Sequence, residues 1–289
     1  VTTGSSPHGQ GTETTMAQIA ADELGLPFDD VDVQYNDTLG TPFGYGTYGS
    51  RSAAVGGTAL FNAVQKVKQK ALRIGAHMLE ASVDDVVYED GKVSVKGSPD
   101  QAKTIQDIAG AAALGYSLPE GDEPFLDETA YFDPPNTTWP FGTHICVVEV
   151  EKETGSVKVK RYLAVDDVGN VINPMIVDGQ IHGGIAQGVA QALWESGEYN
   201  ESGQLVSGSL MDYAIPRTDC LPNFELDRTV TPSPTNPLGV KGVGETGTIA
   251  STPAVVNAVM DALEPFGVTN LNMPLTSQKI WNAIQKKGA

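Results

Sequence analysis

Glu245 stands in "GVKGVGETG", residues Gly239 to Gly247, where four glycines surround one carboxylate and Lys241 precedes it by four positions. Glycine at this density is costly to order, so bare backbone must be wanted close to something. The wider stretch "TNPLGVKGVGETGTIASTPAVVNAV" is rich in small residues and carries no charge besides Lys241 and Glu245. A carboxylate in a dry, narrow loop tends to keep its proton to higher pH. That is the property a general base needs near neutrality. Glu245 is therefore the candidate base, with Lys241 and Gly244 beside it. The competing reading is an ordinary acid on a surface loop.

Three further glycine-rich segments could serve it. In "PHGQGTETT" the turn Gly9-Gln10-Gly11-Thr12 runs straight into a helix start. The first N–H groups of a helix have no internal partner, which makes an anion site. In "GYGTYGSRSAAVGG", Ser50, Arg51 and Ser52 open another helix. No Asp or Glu occurs between Thr38 and Leu79, and this pattern suits a phosphate or pyrophosphate. Residues 44–49 match G-x-G-x-x-G, but no strand leads directly into them and the acid that should follow is missing. A dinucleotide fold of that kind is rejected. In "DGQIHGGIAQG", Gln180 precedes a helix face thinned by Gly183, Gly184 and Gly188. Such a face admits another backbone or a ligand, and Gln180 is either a solvated amide or one that reads a planar heterocycle.

The elements that must position these loops follow from periodicity. "GTETTMAQIAADELG" predicts a helix with Thr12 as cap and Gly25 as stop. "VDVQY" predicts a short strand. A long helix is expected from Ser52 to Glu80, and a hairpin in "DVVYEDGKVSV" turning at Asp90-Gly91. A short helix spans Ile105 to Leu114. Strands are expected at Glu128–Phe132, His144–Glu151, Val157–Asp166 and in "ELDRTV". Helices are expected over "PMIVDGQIHGGIAQGVAQALWES", Thr252–Leu263 and "TSQKIWNAIQ". The mixed order predicts an α+β fold, with two interlocked subdomains, 1–137 and 138–289, meeting near Pro134-Pro135.

Bulk properties narrow the partners. A net charge of −18 repels phosphate backbones and argues against nucleic acid. No apolar run is long enough to cross a membrane. Cys146 and Cys220 form no disulfide scaffold, which fits a cytoplasmic setting. His8, His77, His144 and His182 lie far apart in sequence, so spacing offers no protein-ligated metal. The chain opens at Val1 without a Met and reads as a piece of something longer.

Taken in order, "GQGTETTMAQIAADELGLP", "GTYGSRSAAVGG", "VDDVGNVINPMIVDGQIHGGIAQG" and "NPLGVKGVGETGTIASTPAVVNAV" resemble one family. It is the molybdenum-binding large subunit of the xanthine oxidase-type molybdenum hydroxylases, in the carbon monoxide dehydrogenase and aldehyde oxidoreductase branch. The resemblance covers essentially the whole chain and places it in the C-terminal half of that subunit. It implies a molybdopterin cofactor with molybdenum, often as the cytosine dinucleotide, the metal being held by pterin sulfurs. It implies that Gly9, Gln10, Gly11 and Thr12 face the metal centre, and that Ser50, Arg51 and Ser52 contact the phosphate or nucleotide side. Gln180 would bond the pterin, Lys241 and Gly244 would contact the cofactor, and Glu245 would be the base beside the metal. The reaction implied is hydroxylation of an aldehyde, an electron-poor heterocycle or carbon monoxide, with water as oxygen source. The upstream half of the subunit and iron–sulfur and FAD partners are implied as well. The alternative is a cofactor-binding or assembly module without turnover of its own.

Overall fold

A computed structural model describes residues 1–41 and 43–287. The fold is α+β, and the chain divides into two compact units. One is Val1–Thr138 with Ser233–Val240; the other is Trp139–Pro232 with Lys241–Ala289. The chain thus returns to the first unit for the eight residues 233–240 before entering the "KGVGE" loop.

The first unit opens with β1 (Thr2–Thr3) and α1 (Thr12–Leu24), followed by β2 (Gln34–Tyr35), which pairs parallel with β1. Only the last residues of "VDVQY" are strand. Gly11 at φ 81° occupies the cap of α1 and Thr12 is the first helical residue, which corrects the expectation of Thr12 as cap. Gly25 closes the helix in the left-handed conformation. The expected Ser52–Glu80 helix is composite. A π-helical turn covers Ser52–Gly57 and regular helix α2 covers Thr58–Met78. Strands β3 (Val86–Glu89), β4 (Lys92–Val95) and β5 (Ser98–Thr104) form an antiparallel sheet. Asp90 and Gly91 both have positive φ, as the two-residue hairpin between β3 and β4 demands. Helix α3 (Ile105–Leu114) starts with a capping box between Thr104 and Asp107. Ala71 and Ile74 of α2, Val93 of β4 and Ile108 of α3 form the core.

No strand forms at Glu128–Phe132. That stretch belongs to no sheet, and the Thr129 carbonyl accepts from Lys66 Nζ at 2.7 Å. Apolar alternation is only half of a strand; the other half is a partner backbone.

The second unit is a three-stranded sheet covered by helices. Strands β6 (Phe141–Glu151) and β7 (Ser156–Asp167) pair antiparallel from Phe141↔Asp167 to Glu151↔Ser156. After α4 (Pro174–Leu193) the chain adds β8 (Phe224–Thr229) parallel to β7. Helices α5 (Thr246–Leu263) and α6 (Ser277–Lys287) complete it. Tyr162, Ile181, Ile185, Val189, Val255, Val259 and Ile280 make the buried centre. Helix α5 begins at Thr246, six residues before the sequence-predicted start, and carries Pro253 inside it. A proline marks a helix start when nothing else is known; here the missing N–H falls within a helix that packing holds in place. No helix among the described residues is long and apolar enough to cross a membrane.

Candidate functional site

In the first unit two of the predicted loops lie against each other. The Ser6 N–H donates to Thr47 Oγ1 at 3.1 Å, and Thr47 Oγ1 lies 3.0 Å from Ser52 Oγ. Glycines permit the approach: the Gly46 N–H donates to the Gly4 carbonyl at 3.1 Å, and a Cβ at Gly44 would lie 2.5 Å from Gly4 Cα. The segment just before the Gly9–Thr12 turn therefore lies against the segment just before the Ser50–Ser52 turn.

Each turn has a distinct local chemistry. Gln10 closes its own loop, its Oε1 accepting from the His8 N–H at 2.7 Å and its Nε2 donating to the Ser6 carbonyl at 3.2 Å. Gln10 thus shapes the turn. No side chain caps the start of α1, and Gly11 occupies the cap position. Gly49 at φ 59° and Ser50 at φ 52° are consecutive left-handed residues. Outside glycine that conformation is strained and clusters at functional positions. The π-helical turn that follows is another such signal. The Arg51 guanidinium lies 4.9 Å from the Tyr48 ring centre and donates to the Tyr48 hydroxyl at 2.6 Å.

In the second unit α4 and α5 pack through glycine. A Cβ at Gly247 would lie 2.6 Å from the Ile181 carbonyl oxygen, and one at Gly184 would lie 2.9 Å from Gly247 Cα. Ser251 Oγ donates to the Gly184 carbonyl at 3.4 Å, and Thr252 Oγ1 to the Gly188 carbonyl at 3.4 Å. Gly184 and Gly188 are therefore taken by a backbone, which resolves two of the three glycines left open above. Gly183 is exposed with nothing near it. Gln180 is half-buried one residue before Ile181, and so belongs to the same neighbourhood as the start of α5.

Glu245 caps α5, its carbonyl accepting from the Ile249 N–H at 3.0 Å. Glu245 and Gly244 are exposed. The dry enclosure suggested by the small residues is not built by the described residues, because those small residues are turned to α4 instead. Lys241 departs further from expectation. Its Nζ lies 2.8 Å from Asp167 Oδ1, the two side chains being 8% and 0% exposed, and 4.5 Å from the Phe141 ring centre. Burial alone would raise the Asp167 carboxyl. Donation from Lys241, the Gly169 N–H, Thr231 and Thr229 outweighs it and holds the group well below the usual carboxylate range.

Next to Asp167 lies a buried network that sequence reasoning missed. Asp166 Oδ2 is 3.1 Å from His144 Nε2, and His144 Nδ1 is 2.9 Å from the Tyr162 hydroxyl. Burial, with Cys146 and Asp166 nearby, pushes the Tyr162 hydroxyl above its ordinary range. Burial likewise pushes the Cys146 thiol up to about 11, which makes it inert at neutral pH. One sequence signal existed: two consecutive acids end the apolar strand "RYLAVDD", while Lys241 is the lone cation of its loop.

The donor set is backbone N–H, hydroxyl, guanidinium and amide. Among the described residues no group of three or more His, Cys, Asp or Glu side chains is arranged to hold a metal ion. Such donors fit an anionic organic group better than a bare cation.

An α+β chain with glycine-rich turns and an exposed carboxylate at the start of α5 suits a cofactor-binding domain. Residues 1–222 match the family model described as a molybdopterin cofactor-binding domain, and the chain belongs to that family. It is 45% identical over 98% of its length to the carbon monoxide dehydrogenase large chain of Hydrogenophaga pseudoflava. It is 41% identical over 99% to the nicotine 6-hydroxylase large subunit of Paenarthrobacter nicotinovorans. It spans 35% of the length of each of these relatives. The crystal structure of a Cu,Mo-CO dehydrogenase in the carbon monoxide-reduced state superposes with a TM-score of 0.94 at 41% identity, over 99% of this chain and 36% of that one. Quinoline 2-oxidoreductase from Pseudomonas putida 86 gives 0.92 at 42% identity, over 99% of this chain and 36% of that one.

Proposed function

We propose that this chain is the C-terminal catalytic portion of a molybdopterin-dependent hydroxylase, with Glu245 as its base. The observation that carries the reading is the placement of Glu245, an exposed carboxylate at the head of α5 in a loop with no other exposed charge of its own. The cofactor, when bound, supplies the Lewis acid and the two-electron acceptor. The chain's own residues do the rest. The N–H groups at the start of α1, with Ser50, Arg51 and Ser52, hold the cofactor's anionic side, which the cytosine dinucleotide form would extend. Gly9 and Gly11 keep the turn free of side chains, and Gln180 supplies an amide on the α4 side. An Oε of Glu245 takes the proton from the water-derived oxygen as it attacks the substrate carbon.

The substrate class is an aldehyde, an electron-poor heterocycle or carbon monoxide. Relatives in the comparison carry the names of carbon monoxide, nicotine and quinoline enzymes. Electrons would leave through iron–sulfur and flavin partners, and the rest of a longer large subunit would close the wall around Glu245. Unpaired Cys146 and Cys220 suit a reducing, cytoplasmic setting.

The test is Glu245→Gln in the cofactor-loaded enzyme. Turnover should fall by about 10²- to 10⁴-fold, the usual contribution of a general base, while molybdenum and pterin content stay at the wild-type level. Turnover above a tenth of wild type would remove Glu245 from that role.

A further inference from the structure

The "KGVGE" loop is fixed before and after Glu245, and the fixing groups are not the ones the loop's own sequence suggests. After it, Gly247 lies against α4 at Ile181 and Gly184. Before it, Lys241 is tied twice to the end of β7. Its N–H donates to the Val168 carbonyl at 2.8 Å, and its Nζ meets Asp167 Oδ1 at 2.8 Å. Asp167 in turn accepts from the Gly169 N–H at 3.0 Å and from Thr229 Oγ1 on β8 at 3.0 Å. The carboxylate therefore joins β7, β8 and the loop through one buried atom pair. Only three residues separate the anchored Lys241 from Glu245.

We propose that Asp167 and Lys241 are positioning residues for Glu245: a buried ion pair that sets where the exposed carboxylate stands. This rests on the reading of Glu245 as the base. It assigns Lys241 to the protein's own frame rather than to the cofactor, and it gives a part to Asp167, which no motif marked. A base must stand within hydrogen-bond reach of the proton it takes, and a misplacement of about 1 Å can cost about 10²-fold in rate. A four-residue loop rich in glycine has no stiffness of its own to supply that.

The alternative role is purely structural, with Asp167 present only because buried Lys241 needs a counter-ion. The two roles separate in a pair of variants of the cofactor-loaded enzyme. Lys241→Met alone leaves a buried carboxylate unpaired and lowers stability. The double variant Asp167→Asn, Lys241→Met leaves no orphan charge and regains it, since replacing both partners is often neutral. If the pair positions Glu245, kcat stays down by about 10- to 100-fold in the double variant, with KM within twofold and molybdenum content unchanged. Recovery of kcat together with stability overturns the proposal, and so does loss of molybdenum from either variant, which would return Lys241 to the cofactor. An independent readout needs no variant: in the wild-type enzyme the amides of Lys241 and Thr246 should exchange with deuterium as slowly as the interior of α5, and fast exchange overturns the clamp. Full activity of Glu245→Gln would remove the base itself, whereas an inactive Glu245→Gln beside a fully active double variant would remove only the clamp.

Discussion

The turn before α1 and the contact behind α5 are both built on glycine, and they use it in opposite ways. At the head of α1, Gly9 and Gly11 stand at φ 104° and 81°. A Cβ at Gly9 would meet nothing within 4 Å, so what matters there is the backbone conformation and the open space in front. Between α4 and α5 it is the space that matters. Gly184 and Gly247 let two helix backbones touch, and a Cβ at either would lie within 3 Å of main-chain atoms of the other. In the function proposed above, the first use would leave backbone bare for a ligand, and the second would seat the residue that does chemistry. A glycine-rich motif is thus two kinds of signal, and only geometry separates them.

The comparison breaks most visibly at the helix contact. Gly247→Ala forces a methyl group against the Ile181 carbonyl and the Ile185 N–H, neither of which can move without bending α4. Overpacking of this kind costs about 1–3 kcal/mol, and the second unit should lose that much. Trp139, Trp194 and Trp281 all lie in that unit. Denaturant unfolding followed by tryptophan fluorescence therefore reads it directly. An unchanged midpoint would mean that α4 and α5 are not in backbone contact. A smaller effect is expected at Gly9→Ala. There is room for the methyl group, so the cost is only that of a side chain in the left-handed region, about 1–2 kcal/mol. It should fall on the first unit, leave the tryptophan transition unmoved, and lower cofactor occupancy measured by molybdenum analysis.

How much of this was legible in the sequence depends on the range of the signal. Gly25, the Asp90-Gly91 turn and the capping box at Thr104 are local devices, and the elements they bound stand where the pattern places them. The strand expected at Glu128–Phe132 failed because pairing is a long-range property, and no backbone arrives to meet it. The start of α5 was hidden behind Pro253, since a proline reads as a beginning when its packing is unseen. At the site, the residue types were visible but their partners were not. Lys241 was expected beside the cofactor, and its partner in the fold is Asp167, 74 residues away. The buried line of Asp166, His144 and Tyr162 likewise joins residues on adjacent strands that no spacing rule connects.

The smallest effect belongs to Gly183, and its sign is what sharpens the comparison. It lies beside Gly184 on α4, yet it is exposed and a Cβ there would meet nothing within 4 Å. Its φ is not positive, so alanine adopts the same backbone without strain. With neither reason for glycine in force, Gly183→Ala should stabilise the second unit by about 0.5–1 kcal/mol, the ordinary helix preference for alanine. The same fluorescence transition would show the gain. If instead the variant gains stability but loses molybdenum, Gly183 has a third reason for being bare: it lies three residues after Gln180, and a cofactor lying along that face of α4 would need the space. Stability gained with full molybdenum content would confine the cofactor-facing glycines to the turn before α1 and leave those of α4 to helix packing alone.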